Sequence, residues 1–310
     1  MKQRTIFRIW MCLWGALCFF SCSSHDEQVQ GTDKISICIN SSIEQTLSRS
    51  VIPYPENTYK GKYYVYEVGG KYVSGGDLTS QLRIENMDPA KQYKVVLLAV
   101  PKSQYDITST EGTESIPSYS GAKTRFQGKE SQWNYEIFRD ILTITPSITN
   151  MDYDAVLTRQ NGAVEIRIKN MQLSEVKLQV NGTEYMHFQD GTGGQVLSDT
   201  PRLLTRTLSG DALSDSEVRI RINLLPQEDI TNRSTAEAAI STEKNKLIVT
   251  PVDGPAKEYQ LKSSEGSIPV YPNQVTWLTL GNDEDGSFEI DFSNGNVHLE
   301  DDVWDGWQNY

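Results

Sequence analysis

Short runs in which apolar and polar residues alternate recur along most of the chain. Clear examples are residues 34–40, 163–169 and 176–180. Their period is two residues rather than 3.6, which indicates half-buried β-strands and not helices. Further runs of the same kind are residues 63–68, 93–100, 141–145, 218–224, 247–250, 275–280 and 288–292.

Turn signals separate these runs, among them Gly69-Gly70, Gly75-Gly76-Asp77 and Asp253-Gly254-Pro255. Glycine, Asn and Asp supply the positive-φ positions that tight hairpins require. The sequence therefore predicts an all-β sandwich fold with at most short helices. The best helix candidates are residues 233–241, where an Ala-Glu-Ala-Ala stretch has high local propensity, and a short piece near residues 130–138. Residues 102–129 have little periodicity and many Ser, Thr and Gly, so we predict a long surface loop there.

A domain boundary is predicted near residue 150. Residues 146–150 end one set of strand patterns, and residues 155–159 begin another. The chain thus divides into an N-terminal β-sandwich domain, residues 34–150, and a C-terminal one, residues 151–310. Each is long enough to bury a core of its own.

The first 33 residues contain the features of a lipoprotein signal. A basic start (Lys2, Arg4 and Arg8) precedes an apolar run over residues 9–20, and Phe19-Phe20-Ser21-Cys22 has the pattern of a lipobox. The apolar run is too short to span a bilayer. We therefore predict a signal peptide over residues 1–21, a lipid on Cys22 and a flexible polar tether over residues 22–33. An uncleaved anchor, or an ordinary signal with an incidental cysteine, are the alternatives.

Charge and cysteine usage exclude several functions. The net charge is −12, and loss of Lys2, Arg4 and Arg8 with the signal makes it −15. Nucleic acid is not an expected partner, because phosphate binding needs a basic surface. Beyond Cys22 the only cysteine is Cys38, which lies in a strand pattern and has no partner for an internal disulfide. We interpret Cys38 as a structural residue.

The sequence predicts no enzyme, no cofactor and no metal site. The three histidines are His25, His187 and His298, and neither of the latter two lies in a catalytic signature. No Gly-x-Ser-x-Gly, glycine-rich phosphate loop or His-Glu-x-x-His occurs. Residues 282–286 have the oxygen-rich start of a calcium loop, but Asn294 stands where such a loop needs an acid. We interpret them as an acidic turn.

Aromatic residues offer the remaining candidate contacts. Residues 300–310 combine four acids with Trp304, Trp307 and Tyr310. Exposed, these rings would stack on sugars or dock into a partner. Alternatively, the segment is an edge strand that buries both tryptophans in its own domain. Trp133 is a candidate loop ring, whereas Trp277 is predicted to be core because it lies in a strand and shares a face with Val275 and Thr279.

The order of these features resembles the FimB-like fimbrillin-associated anchor family. The resemblance is carried by the lipobox, the strand at residues 63–73 and the opening of the second domain at residues 157–168. It implies two tandem transthyretin-like β-sandwich domains behind the lipid on Cys22. It also implies an outer-membrane, surface-exposed lipoprotein that attaches a fimbria to the cell and influences its length. Its partners would be other fimbrial subunits, joined by exchange of a strand.

Arg49 complicates the anchor interpretation. It lies in Thr46-Leu47-Ser48-Arg49-Ser50, where related stalk and tip subunits are cut by an arginine-specific protease. Cleavage after Arg49 would release the chain from its lipid and make it a polymerising stalk or tip subunit. A rival hypothesis is a surface glycan-binding lipoprotein, with a stacking platform drawn from Trp133, Trp277, Trp304 and Trp307.

Overall fold

The structure is a computed structural model of the 310-residue chain. The residues that it describes are 34–44, 50–102, 106–111, 119–127, 136–181, 185–189, 191, 193–194, 203–213, 217–226, 238–239, 245–261, 269–273, 275–280 and 288–290. The predicted signal peptide and tether, residues 1–33, lie outside them.

Twenty-two strands account for nearly all of the regular structure in these ranges. They are β1 (Ile35–Glu44), β2 (Val51–Pro53), β3 (Tyr59–Glu67), β4 (Tyr72–Asp77), β5 (Gln81–Met87), β6 (Tyr93–Pro101), β7 (Asp106–Glu111), β8 (Lys123–Gln127), β9 (Phe138–Ile144), β10 (Asp152–Arg159), β11 (Gly162–Lys169), β12 (Leu173–Asn181), β13 (Tyr185–His187), β14 (Gly193–Gly194), β15 (Leu203–Ser209), β16 (Glu217–Leu224), β17 (Ala238–Ala239), β18 (Lys246–Pro251), β19 (Lys257–Gln260), β20 (Pro269–Val270), β21 (Val275–Leu280) and β22 (Phe288–Ile290).

The predicted all-β fold is confirmed. The helical segments within the described ranges are two short 3₁₀ turns, Tyr119–Gly121 and Gly210–Leu213. Most alternating runs coincide with strands, because a period of two places every second side chain on the same face of a sheet. None of the helices in the described ranges is long and apolar enough to cross a membrane.

One curled, eight-stranded sheet forms the first pair of layers. Its strand order is β2-β1-β10-β9-β6-β3-β4, and β5 pairs with β1 beside β2. β9 and β10 pair only through Thr158↔Arg139 and Arg159↔Phe138, so the sheet folds over at this corner. The strands of its two halves enclose an apolar core. Its members include Ile37, Ile39, Ile43, Leu82, Ile84, Val95, Leu97, Ala155 and Leu157.

The second pair of layers comes from two four-stranded sheets, β16-β11-β21-β22 and β15-β12-β18-β19. Their inward residues form a second core, which includes Val164, Ile166, Ile168, Val176, Leu178, Ile220, Ile222, Leu247, Leu278 and Leu280. β6 contributes to both cores. Val95 and Leu97 face the first, whereas Val96 and Leu98 face the second. This explains why β6 is a continuous apolar run rather than an alternating one.

The described residues, which begin at Lys34, form one compact unit. The predicted division into domains at residues 34–150 and 151–310 stays a prediction. β10, which follows the predicted boundary, pairs with β1 in parallel and so belongs to the first curled sheet.

Three local predictions are wrong. The predicted loop at residues 102–129 contains the antiparallel pair β7 and β8, and Thr124 of β8 is buried, so its Ser and Thr content does not mark a loop. Gly75 is no turn residue but lies within β4, where an added Cβ would be 2.7 Å from the Tyr63 carbonyl oxygen. Of the predicted helix at residues 233–241, the described residues are Ala238–Ala239, and they form a strand.

Candidate functional site

β1 is the first described strand after the predicted tether, and it is held along both edges. On one edge it pairs in parallel with β10, from Cys38↔Asp152 to Ile43↔Leu157. On the other edge it pairs antiparallel with β5 and then with β2. β1 therefore lies inside its sheet, so neither of its edges is open.

The inner face of β1 is part of the first core. Ile37, Ile39, Ser41 and Ile43 alternate along it, and each is at most 3% exposed. Burial of one isoleucine side chain stabilises the folded state by about 1.5–3 kcal/mol. Removal of β1 would take three such side chains from the core.

The outer face of β1 is polar. The Asn40 Nδ2 group donates to Asp154 Oδ1 at 3.2 Å, and the Ser42 hydroxyl donates to the Ala155 carbonyl at 2.8 Å. Cys38 lies in the same outer row, opposite Arg83 and Asp152 in register, and is not in a disulfide. Its interpretation as a structural residue stays a prediction.

The turn between β4 and β5 extends the pairing along the edge of β1 that faces β5. The Ser41 backbone N–H donates to the Ser80 carbonyl at 2.8 Å. Ser80 in turn donates from its backbone N–H and its hydroxyl to Glu56 Oε1, at 2.7 and 2.9 Å. These hydrogen bonds, the backbone one first, hold the pKa of Glu56 below its usual value.

The predicted processing residue Arg49 belongs to the connection between β1 and β2. Glu44 and Val51, on either side of this connection, are paired in register. Arg49 itself lies outside the described residues. After a cut in this connection, β1 would be held by backbone pairing and core packing alone.

Elsewhere in the first sheet, strand edges without a pairing partner among the described residues occur at β4 and between β9 and β10. β4 is its terminal strand. β9 and β10 diverge beyond Asp140, whose carboxylate accepts from the backbone N–H groups of Ile141 and Val156 at 2.7 and 2.9 Å. Val156 is exposed at this opening, and Ile148 is exposed in the connection between β9 and β10. Such edges are where an added strand can pair.

A cluster of charged side chains lies on the outer face of the sheet that contains β11, β16 and β21. Arg221 donates from Nε and Nη2 to Glu165 Oε2, at 3.0 and 2.7 Å. Arg167 donates from Nε to Glu165 Oε1 at 3.0 Å, and its guanidinium lies 4.0 Å from the Trp277 ring centroid. Burial lowers the pKa of Arg221, and Glu165 opposes that shift.

Two further arginines lie near this pair, the half-buried Arg206 and the buried Arg159. Arg206 donates from Nη1 to the Arg221 carbonyl at 2.8 Å, and burial lowers the pKa of Arg206 to about 10. Arg159 pairs with Glu136 at 2.7 Å, and burial lowers the pKa of Arg159 as well. The alternation in β11 and β16 predicts two faces, but it does not predict that the charged face is buried.

Most of the residues singled out from the sequence belong to segments that the structure does not describe. Cys22, Arg49, Trp133, Trp304, Trp307, Tyr310, His25 and His298 lie outside the described residues. His187 lies in β13, with its ring 5.2 Å from that of Tyr185. In the described ranges, no group of three or more His, Cys, Asp or Glu residues could hold a metal ion.

The core assignment of Trp277 is wrong. Val275, Thr276, Leu278 and Leu280 are buried, and the two leucines face the second core, whereas Trp277 and Thr279 are only half-buried. Trp277 lies on the opposite face and is half-buried beneath Arg167. Alternation groups Trp277 with Val275 and Thr279, but it cannot tell which of the two groups faces the core.

No family model matches the sequence, and no curated protein matches it significantly. Solved structures do resemble the chain. One is described as "putative polysaccharide binding proteins" from Bacteroides thetaiotaomicron, with 14% identity, a TM-score of 0.52, and 85% of this chain and 97% of that chain covered.

Two others are fimbrial proteins of Porphyromonas gingivalis. The fimbrial anchor protein Mfa2 has 14% identity and a TM-score of 0.46, with 83% of this chain and 95% of that chain covered. The tip fimbrial protein Mfa3 has 12% identity and a TM-score of 0.46, with 83% and 99% covered. Fimbrial proteins are thus among the structures that the chain resembles, as the sequence predicts. At such low identity a likeness shows the fold alone, and the chain shares its all-β fold with the Bacteroides thetaiotaomicron protein.

Proposed function

We propose that the chain is a non-enzymatic, surface-exposed fimbrial subunit, and that among such subunits it is the anchor, attached to the outer membrane through a lipid on Cys22. The observation that carries this proposal is the position of β1. A strand that directly follows the tether is paired on both edges and contributes three buried isoleucines to the core.

This position suits a subunit that must resist pulling. Tension on the tether enters β1 at Ile35 and acts along the strand. It is shared by the pairings with β10 and β5 at the same time, and the inner side chains must leave the core before the strand can slide. An edge strand would be held by one neighbour only.

A stalk or tip subunit is the alternative within the same class. After a cut at Arg49, β1 would have no covalent link to the rest of the chain. Its departure would leave the edges of β10 and β5 open to a strand from a neighbouring subunit. Backbone pairing would then supply the affinity, and pockets for alternate side chains the specificity. For an anchor that keeps β1, the exposed edges at β4 and between β9 and β10 are the candidate places for exchange.

A glycan-binding role is the weaker proposal. It is supported by the likeness to a structure described as polysaccharide-binding. A sugar-stacking platform needs two or three coplanar exposed rings. Trp277 is the one tryptophan within the described ranges, and the Arg167 guanidinium already stacks on its ring.

The first test is the N-terminus of the native protein. We would purify the chain from membranes and from detached fimbriae, and map its first residue by mass spectrometry. Lipid-modified Cys22 on both is expected for an anchor. A Ser50 terminus on assembled fimbriae would overturn that assignment in favour of a stalk or tip subunit.

A thiol stain under denaturing conditions provides an independent readout. All four cysteines, Cys12, Cys18, Cys22 and Cys38, precede residue 50. A chain that keeps β1 retains the Cys38 thiol and stains, whereas a processed chain that has lost β1 has no cysteine. The matched control is an Arg49→Ala variant, which should stain in either case.

A further inference from the structure

The sheet β16-β11-β21-β22, called the second sheet below, carries a row of charged side chains around Trp277 on its outer face. We call it the arginine face and define it by Glu165, Arg167, Arg219, Arg221 and Trp277, which neighbour one another across β16, β11 and β21. With Lys169 and Glu217 included, four cations accompany two carboxylates. The surplus of two positive charges contrasts with a chain whose net charge is −12.

This face lies opposite the core, and its two ends differ in exposure: the side chains of Arg219 and Lys169 are 54% and 47% exposed, whereas the end at Glu165 is shielded from solvent. The side chains of Arg221 and Glu165 are each 5% exposed. Their neighbours Ile166, Ile220 and Leu278 point to the other side, into the core. Groups outside the core therefore cover the Glu165 end of the arginine face, and Arg206, which donates to the Arg221 carbonyl, is one of them.

Two N–H donors on the arginine face have no acceptor among the residues that the structure describes. They are Nη2 of Arg167 and Nε1 of Trp277, and both atoms are buried. The two side chains are stacked at 4.0 Å, so their unpaired donors belong to one small area. A buried donor without an acceptor is costly, so this area calls for a covering group rich in oxygen.

The chain itself carries such a group. Residues 300–305 contain Glu300, Asp301, Asp302 and Asp305. The path to them starts at the same sheet, because β22 pairs with β21 up to Leu278↔Ile290. Ten residues lead from Ile290 to Glu300 and reach at most about 33–36 Å. The distance from β22 across β21 to β11 is two strand spacings, about 10 Å.

We propose that residues 300–307 dock on the arginine face of their own chain. The carboxylates accept hydrogen bonds from Arg167 and Trp277 and pair with Arg219, while Trp304 and Trp307 pack against the covered surface. Docking of this kind does not depend on the proposed fimbrial function. It makes the two tryptophans part of the protein's own surface packing and not a free platform for sugars.

Disulfide trapping tests the contact. In a chain of residues 23–310 with Cys38→Ser, no cysteine remains. Arg219→Cys would be combined with a cysteine substituted in turn at each of residues 300–307, and Arg83→Cys, on the outer face of β5, would replace Arg219→Cys in the control series. We expect rapid oxidation within one chain at one or two positions, unchanged on tenfold dilution and absent from the control. Disulfides only between chains, or none above the control, would overturn the proposal.

A full-length neutral variant provides the second test. It combines Glu300→Gln, Asp301→Asn, Asp302→Asn and Asp305→Asn. The readout is hydrogen exchange at the Trp277 indole N–H, with its NMR signal assigned by Trp277→Phe.

We expect exchange about tenfold faster or more in this variant, because the covering acceptors are weakened. A control neutralises four acids on the outer face of the first sheet, namely Glu44, Glu85, Asp152 and Asp154, and should leave that signal unchanged. Slow exchange in the neutral variant would contradict docking of residues 300–307.

Discussion

Two ion pairs on the outer faces of the two sheets differ sharply in their surroundings. Arg83 and Glu85 of β5 lie 3.6 Å apart, with side chains 71% and 64% exposed. Arg221 and Glu165 lie 2.7 Å apart and are each 5% exposed. Both pairs occupy the polar half of an alternating strand pattern. Alternation therefore assigns residues to a face, whereas the rest of the fold decides whether that face meets water.

The difference has an energetic consequence. An exposed pair gains little, because water solvates and screens both charges. A buried pair loses that solvation, so removal of Arg221 leaves the buried Glu165 carboxylate with Arg167 as its one charged partner among the described residues. The inner faces should show no such contrast, since both are packed cores.

The largest expected effect comes from breaking the buried pair. Arg221→Met should lower the free energy of unfolding by about 3–5 kcal/mol, because Glu165 stays buried with one partner fewer. The matched change Arg83→Met should cost at most about 1 kcal/mol. Urea unfolding of both variants measures this. Equal small losses would mean that the arginine face is solvated in solution.

Substitutions on the two inner faces test whether β1 is packed as firmly as an interior strand of the second sheet. Ile39→Ala and Ile166→Ala should each cost about 2–5 kcal/mol, since both side chains are fully buried. Unfolding by urea is again the measurement. A loss below about 1 kcal/mol for Ile39→Ala alone would show that β1 is loosely held, and would weaken the anchor proposal.

The smallest expected effect concerns Tyr66, whose buried hydroxyl has no hydrogen-bond partner among the described residues. Unlike the donors of the arginine face, it lies in the core, where aromatic rings surround it. Tyr66→Phe should leave stability unchanged or raise it by about 1 kcal/mol. Tyr153→Phe, the control, should lower it, because that hydroxyl donates to the Thr145 and Asn150 carbonyls at 3.1 and 3.2 Å.

The pH dependence of the same variant has a definite sign. Burial raises the pKa of Tyr66 above its usual value of 10. The folded state then keeps the neutral phenol at a pH where the unfolded state ionises. The free energy of unfolding therefore keeps the full contribution of the neutral Tyr66 phenol below pH 10, and this contribution is lost as the pH rises above that value. In thermal melts above pH 10, Tyr66→Phe should lose less in Tm per pH unit than the unchanged chain. An equal loss in both would contradict a raised pKa for Tyr66.

Strand positions were largely predictable because local alternation encodes them. The predicted run at residues 275–280 coincides with β21, and the run at residues 93–100 lies within β6. The loop predicted at residues 102–129 failed, because Ser and Thr suit strands as well as loops. Cys22, Arg49 and the rings of Trp304, Trp307 and Tyr310 remain predictions, since they lie outside the described residues.

The sequence by itself determined the all-β class and most strand positions, because each of these depends on neighbours in the chain. The signal peptide, the lipid on Cys22 and processing at Arg49 stay predictions from local sequence. Only the tertiary structure decided that β1 lies between β10 and β5, that β6 serves two cores, and that Trp277 faces away from the core. These features depend on contacts between residues far apart in the sequence. A period of two predicts two faces for every strand, but the packing of the whole chain selects the one that is buried.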